Sequence, residues 1–430
     1  MALITFKSES FKRFAQEGVW VLLGQVTTVV ASLVLVRVLT GHLDPAQYGQ
    51  LALALTLGTL VGQVAFSGVM PGLMRYYTVA KEHDEIKKYL LVCLRLVGYG
   101  TAAAIGLSTL LLMGLSVVNK ANMTALTCFA IIFTLLVSYS SALNTIQNAA
   151  RQRKVVAVHS SLDAWLRVLF AVWFLAWLGG SAVVVITAYI ASLLLVLSLQ
   201  IMFIKRLIPS QQKNEKKANL WATQIWQYSK PFVYINAFTW IQASSDRWAL
   251  DTFASPQDVG LYAALFQLGY TPVMTISGLM ITLVGPIFFE QSGDGMDSVK
   301  NTEMHRAVWQ IVGVSLLTTF LVSFFGYLFH GWIFEILVAP QYHSVSYLLP
   351  WVILAGGIFS AGQVLSLKLM SDMNTQALIW PKIVTSLVAA LLSFYGAYVE
   401  GLTGVVYAGV IFSVAHLGWL SWLSWHPLEL

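Results

Sequence analysis

A few ionisable residues sit inside otherwise apolar stretches of this chain: Asp246-Arg247, with Asp251 close behind, and Arg37. A charged side chain at a bilayer centre costs about 2.5–3.5 kcal/mol or more, so such residues persist where they face a wet cavity, a partner or an interface. Arg247 lies sixteen residues beyond Pro231. At 1.5 Å per residue that is about 24 Å along a helix, in the outer part of a hydrocarbon core of roughly 30 Å. Asp251, four residues on, shares its helix face. Asp246 is turned about 100° from Arg247 and has no obvious partner on its own helix. Two readings follow. In one, Arg247 contacts an anion and Asp246 is a proton- or ion-responsive group in a central cavity. In the other, the cluster snorkels to the outer surface around a structural ion pair.

Arg37 stands in the same local pattern. Arg37-Val38-Leu39-Thr40 closes one apolar run and is followed by Asp44-Pro45-Ala46-Gln47-Tyr48-Gly49. Arg247-Trp248-Ala249-Leu250 closes another and is followed by Ser255-Pro256-Gln257-Asp258-Val259-Gly260. Repeats of this kind mark many secondary transporter folds. Two symmetry-related arginines would bracket a cleft between like halves, and guanidinium forks hold phosphate oxygens bidentately, which suits a diphosphate. Asp44 is placed to partner Arg37. Gln25, Thr27, Thr28 and Ser32, then Gln63 and Ser67, give the first two apolar runs polar faces. These would line a sugar-sized cavity or bond between helices at about 0.6 kcal/mol each. Arg75, Arg95, Lys368 and Lys382 read as orientation signals at inner ends, positions from which they would also guide an anionic headgroup. Asp163 and Arg167, four apart with the acid first, read as a structural pair at the inner end of a span.

The elements that carry these residues follow from composition. Of 430 residues, 57% are hydrophobic and 10% charged, against about 25% charged in soluble proteins. Apolar runs near 20 residues recur, and strand-length alternation is absent, so backbone pairing in lipid leaves a helix bundle rather than a barrel. Twelve spans are expected: 18–39, 49–71, 90–117, 121–145, 161–178, 182–204, 231–252, 260–289, 307–328, 345–369, 378–399 and 402–424. The eighth, with Pro272, Gly278, Gly285 and Pro286, is expected to bend or break. Basic residues follow the even-numbered spans: 22 of the 25 Lys and Arg fall on one side, which places both termini and the basic loops in the cytoplasm. Residues 209–229, with the run Gln211–Lys217, form the linker between lobes 1–208 and 230–430, and six spans in each make a parallel repeat. The stretches Phe11 to Gly18 and Leu220 to Ser229 are amphipathic lead-ins expected in the headgroup layer. Cys93 and Cys128 give no disulfide or metal spacing, and a P-loop is absent.

These patterns together resemble the bacterial polysaccharide flippases of O-antigen type, in the superfamily that also holds the multidrug-and-toxin extruders and the lipid II flippase. The residues that carry the resemblance are Arg37-Val38-Leu39 through Gly49, Gly68-Val69-Met70-Pro71-Gly72-Leu73-Met74-Arg75-Tyr76, Asp246 to Leu250, and Val259-Gly260-Leu261-Tyr262-Ala263-Ala264. The resemblance implies an all-α polytopic protein with two six-helix lobes in a V around a cationic cavity. It implies a non-enzymatic transporter of the bacterial inner membrane that flips undecaprenyl-diphosphate-linked oligosaccharide by alternating access, without a cofactor. H+ or Na+ would be the coupling ion, glycan polymerase machinery a partner, and nucleic acid none. Arg37, Arg247, Asp246, Arg75, Gln25 and Gln63 are the expected substrate contacts. The rival readings are an extruder of organic cations, which would need a net acidic cavity, and a glycan polymerase or ligase. The latter would need a large outer loop, and the longest here, about 329–344, is short.

Overall fold

The computed structural model describes residues 8–117, 121–205, 218–292, 298–371 and 379–425. Lys7, Lys120 and most of the expected linker lie outside them, as do the side chains of Lys12, Arg13, Glu290, Lys300 and Lys368. The described residues are helical almost throughout, with no strand among them. The helices are α1 (Ser8–His42), α2 (Pro45–Gly62), α3 (Met70–Glu82), α4 (Ile86–Val117), α5 (Ala121–Ala149), α6 (Arg153–Leu178), α7 (Ala182–Ile204), α8 (Ala218–Phe253), α9 (Pro256–Ser292), α10 (Ser298–Leu337), α11 (Leu349–Ser371) and α12 (Ile379–Trp425). A π-helical turn, Gln63–Ser67, joins α2 to α3, and a 3₁₀ segment, Pro340–Leu348, leads into α11.

Among the described residues, ten segments are long and apolar enough to cross a membrane, rather than the twelve expected. Two physical causes account for the difference. The last two expected spans form one 45-residue segment that turns at Glu400 and Gly401, where Gly401 takes φ of 58°. The seventh expected span lies in α8, whose Asn236, Gln242, Asp246, Arg247 and Asp251 dilute its apolar character. Large apolar side chains face outward along the helices, including Leu110, Val117, Leu169, Leu317 and Phe324, as a lipid-facing surface requires. The chain is a multi-pass membrane protein.

α8 runs unbroken from Ala218 through Pro231, so the expected lead-in continues directly into the seventh span. Of the expected bend or break in the eighth span, a break is absent: α9 is continuous through Pro272 and Gly278. Proline is tolerated inside membrane helices where neighbours satisfy the freed backbone group. The interruptions fall instead at Gln63–Ser67 and at Glu400–Gly401.

The same neighbours recur in both halves of the chain. α1 packs on α6 as α8 packs on α12, and α2 packs on α5 as α9 packs on α11. The two halves meet where the repeated Pro-x-x-x-Gly turns cross. A Cβ on Gly49 would fall 2.0 Å from the Pro256 carbonyl oxygen, and one on Gly260 would fall 1.8 Å from the Pro45 carbonyl oxygen. Small residues allow such backbone approach in membrane helices, where packing and not the hydrophobic effect drives association. Both turns are capped in the usual way. The Asp44 carboxylate accepts the Gln47 N–H at 2.8 Å, and Ser255 Oγ accepts the Asp258 N–H at 3.1 Å. Asp44 is thus committed to capping α2, the role its position before Pro45 favours.

Hydrogen bonds seal the same end. The last carbonyls of a helix lack intrahelical donors. Here Gln341 Nε2 donates to the Thr40 and Leu43 carbonyls at 3.0 and 2.9 Å, and the Tyr342 hydroxyl donates to Leu43 at 3.0 Å. Tyr342 also meets Tyr48 edge to face, with centroids 6.1 Å apart. At the opposite end, α8 lies on α3. Trp221 Nε1 donates to Glu85 Oε2 at 2.7 Å, and the Tyr76 ring meets Trp221 and Tyr228 at 6.2 and 6.3 Å.

Gly49→Ala or Gly260→Ala inserts a methyl group into a backbone contact, and overpacking of this kind costs about 1–3 kcal/mol. Each variant is expected to lower the unfolding temperature of the detergent-purified protein. An unchanged melting curve for both would show that the crossing is not as described. The Glu85 carboxyl is held below its ordinary value by the bonds from Lys88 and Trp221. Its contribution to the α8–α3 contact is therefore present above the ordinary carboxylate range and is lost as pH falls through the lowered value. Hydrogen exchange over residues 218–230 should quicken on acidification, relative to intrinsic rates, and Trp221→Phe should show the quickening already at neutral pH.

Candidate functional site

A cavity of about 720 Å³ lies between the two halves, walled by α1, α2, α5, α6, α7, α8 and α9. Thr28 and Ser32 of α1 and Thr56 and Thr59 of α2 face it, with Gln63 at the π-turn. That turn re-aims the chain after Gly62, as single-turn π insertions do at functional positions. Arg247 enters from α8. Its guanidinium rests 4.8 Å from the Phe266 ring centroid, donates to the Ala243 carbonyl at 3.0 Å, and lies 3.7 Å from Asp246 Oδ1. Asp246, which the helix geometry left without a partner, is therefore the ion-pair partner of Arg247. Its Oδ1 also accepts the Arg247 backbone N–H at 2.7 Å.

Asp163 and Arg167 line the same cavity from α6. They form a two-pronged pair, with Arg167 Nε 3.2 Å from Asp163 Oδ1 and Nη2 bonded to Oδ2. Ser192 Oγ donates to Asp163 Oδ1 at 3.0 Å, and the guanidinium lies 5.1 Å from the Phe133 centroid. The pair was expected at the inner end of a span. The helix begins at Arg153, well before the apolar run, so Arg167 stands about 21 Å along it. The i,i+4 signal was legible, but its depth depended on a helix start made of polar residues.

The other expected contacts are dispersed. Gln63 lines the cavity with Arg247. Asp246 faces a second cavity behind α8. Arg37 lies outside both, which corrects the expectation that it brackets the cleft with Arg247. It is exposed, and its guanidinium donates to the Val338 carbonyl across to the second half of the chain. Arg75 is exposed at the α3–α8 contact, 4.7 Å from the Tyr228 centroid. Gln25 is half-buried on α1 and lines neither cavity.

Residues that the sequence did not single out complete the wall. Gln200 Nε2 donates to Asn144 Oδ1 at 3.0 Å, while Gln200 Oε1 and His159 Nδ1 are buried without a protein partner. Such atoms call for water or ligand hydroxyls. Two tryptophans of α8 converge on one threonine of α2: Trp240 Nε1 donates to the Thr56 carbonyl at 2.7 Å, and Trp248 Nε1 to Thr56 Oγ1 at 3.0 Å. These bonds hold Arg247 facing α2.

The model of a family described as "Polysaccharide biosynthesis protein" matches residues 14–292. The chain belongs to this family. No curated protein matches it. Among solved structures, a lipid II flippase MurJ in an inward closed conformation is similar, with a TM-score of 0.71 at 11% identity over 95% of this chain and 87% of that one. An outward-facing MATE multidrug resistance transporter of the MOP superfamily gives 0.59 at 12% identity over 96% and 95%, and an inward-facing one 0.60 at 13% over 99% and 97%. At these identities the likeness shows the fold: this family member shares the architecture of MurJ and the MATE transporters.

Thr56→Val would leave the Trp248 indole N–H without its acceptor, a loss of about 1–3 kcal/mol for a buried donor. The variant is expected to melt at a lower temperature, and Thr56→Ser to melt like wild type. Equal melting of Thr56→Val and wild type would show that the bond does not hold α8 to α2.

Proposed function

We propose that this protein flips undecaprenyl-diphosphate-linked oligosaccharide units from the inner to the outer leaflet of the bacterial cytoplasmic membrane. It acts as a transporter and not as an enzyme. The lobes 1–208 and 230–430 rock about the central cavity, with both termini cytoplasmic. The observation that carries this reading is the charge arrangement. Among the described residues, the acids lining the two cavities are Asp163 and Asp246, and each is already engaged by an arginine. Among the described residues of the central cavity, Arg167 and Arg247 outnumber Asp163.

The physical problem is to carry a glycan and phosphate charges through hydrocarbon. A wet basic cleft lowers that barrier while the prenyl tail stays in lipid. Arg247 takes the diphosphate, since its fork matches phosphate oxygens. Gln63 and the α1 and α2 hydroxyls meet sugar hydroxyls. Arg75 guides the headgroup at the cytoplasmic entrance, with Gln25 on the polar face of α1. Arg37 meets the leaving headgroup once the outer end parts and the Val338 carbonyl is released. The Asp246–Arg247 pair couples transport to H+ or Na+, because an ion on Asp246 frees the guanidinium for its anion. The glycan polymerase machinery would receive the product.

An extruder of organic cations is the competing reading, and the shared fold with MATE transporters favours it. It needs a carboxylate free to meet the cation, whereas both cavity acids here have arginine partners.

In proteoliposomes loaded with a fluorescent prenyl-diphosphate disaccharide, Arg247→Ala is expected to slow translocation at least tenfold, and Arg247→Lys less. Wild-type rates in a correctly folded Arg247→Ala protein would overturn the assignment. Organic-cation export without lipid flipping would select the extruder.

A further inference from the structure

A second cavity of about 540 Å³ lies within the second half of the chain, among α8, α9, α11 and α12. Apart from Asp246 at its wall, no residue on which the flipping cycle depends lies here. Its volume is ordinary for a small-molecule site, and its chemistry is unusual for a membrane bundle. Lys382 enters from α12, and its Nζ donates to Gln242 Oε1 at 2.6 Å. The ion pairs among the described residues do not include it. His416, on the second rod of α12, is 6% exposed, and neither Nδ1 nor Nε2 has a hydrogen-bond partner. Its ring stacks on Phe359 at 4.8 Å and Phe412 at 5.7 Å, with interplanar angles of 28° and 27°. The two rings lie 6.0 Å from each other, so both contacts fall to one side of the imidazole, and neither supplies a partner for a ring nitrogen. Tyr270 and Phe359 continue the aromatic wall.

A buried histidine with two orphan nitrogens is costly unless something completes it. An ammonium with one neutral partner is likewise incomplete. Together they describe the complement of a ligand with one negative charge, further acceptor and donor groups and an apolar face. We propose that this cavity is a subsite for a sugar ring bearing one carboxylate. Lys382 takes the carboxylate, the His416 edge exchanges a hydrogen bond with an adjacent oxygen, and the apolar face of the ring lies on the Tyr270 and Phe359 side of the wall. A diphosphate fits less well, because a lone lysine acts as a point charge and, among the described residues, no guanidinium fork lines this cavity.

The two cavities share Ala243 and Phe266 as a common wall, and the adjacent residues Asp246 and Arg247 face opposite sides of it. One lipid-linked ligand can therefore place its diphosphate at Arg247 and an acidic sugar at Lys382. This placement deepens the proposed function and rests on it; a free sugar acid would use the same chemistry without it.

The test is calorimetric titration of the full-length protein in nanodiscs. Methyl β-D-glucuronide is expected to bind at least tenfold more tightly than methyl β-D-glucoside. Lys382→Met should abolish the preference, Lys382→Arg should keep most of it, and His416→Phe, which preserves the stack, should weaken glucuronide binding several-fold. Equal affinity for the two glycosides, or a glucuronide preference unchanged in a folded Lys382→Met or His416→Phe variant, would overturn the proposal. Pyrophosphate is titrated separately and should bind in Lys382→Met but not in Arg247→Ala. Failure of pyrophosphate alone counts against the diphosphate assignment, and failure of the glucuronide alone counts against this subsite. Competition by a farnesyl-diphosphate-linked glucuronide supports the carried glycan as the source of the acid. Binding of the free glucuronide without such competition supports a soluble sugar acid at the same site.

Discussion

Where α2 and α9 cross, two backbones touch with no side chain between them. Gly49 abuts the carbonyl of Pro256, and Gly260 abuts the carbonyl of Pro45. In lipid there is no general hydrophobic force to hold two helices together, so contact must come from close packing and specific bonds. The crossing supplies both, because the caps that start each helix also set the angle at which it arrives. Around it gather Tyr48 and Tyr342, the α1 end held by Gln341, and the apolar core formed by Leu51, Leu265 and Leu348.

The site depends on that contact. With one end of the interface closed, α8 is held against α2 through Thr56, and Arg247 is carried to the boundary between the two cavities. Two half-buried ion pairs line the cavities among the described residues: Asp163 with Arg167, Asp246 with Arg247. Breaking a buried pair is expensive, whereas exchanging one partner for a ligand or an ion of like charge costs far less. Under the proposed function, a paired arginine is stable when the cavity is empty and available when an anion arrives. Lys382 departs from this pattern, since a neutral amide and not a carboxylate meets it. That difference separates the second cavity from the first.

The two ends of the interface are built differently. One relies on backbone contact and carbonyl capping. The other uses aromatic rings, the Trp221–Glu85 bond and Arg75 over Tyr228. The Trp221–Glu85 bond is charge-assisted and partly exposed, so pH and salt act on it.

The amino-acid order alone determined the membrane class, the helical fold and the repeat, because lipid forces long apolar runs into helices and a duplicated Pro-x-x-x-Gly turn is legible as text. It also marked Arg247 and Gln63, which share a cavity, and the Asp163–Arg167 spacing. Depth and facing were decided only by tertiary structure. Arg37 reads as the twin of Arg247, yet one meets a loop carbonyl and the other a cavity, since the chain packed against each repeat differs. Arg167 moved to mid-helix because polar residues open α6, and Lys382 passed from orientation signal to cavity wall because α8 brings Gln242 to it. A local pattern specifies what a helix can bury, but only its neighbours decide which side is wet.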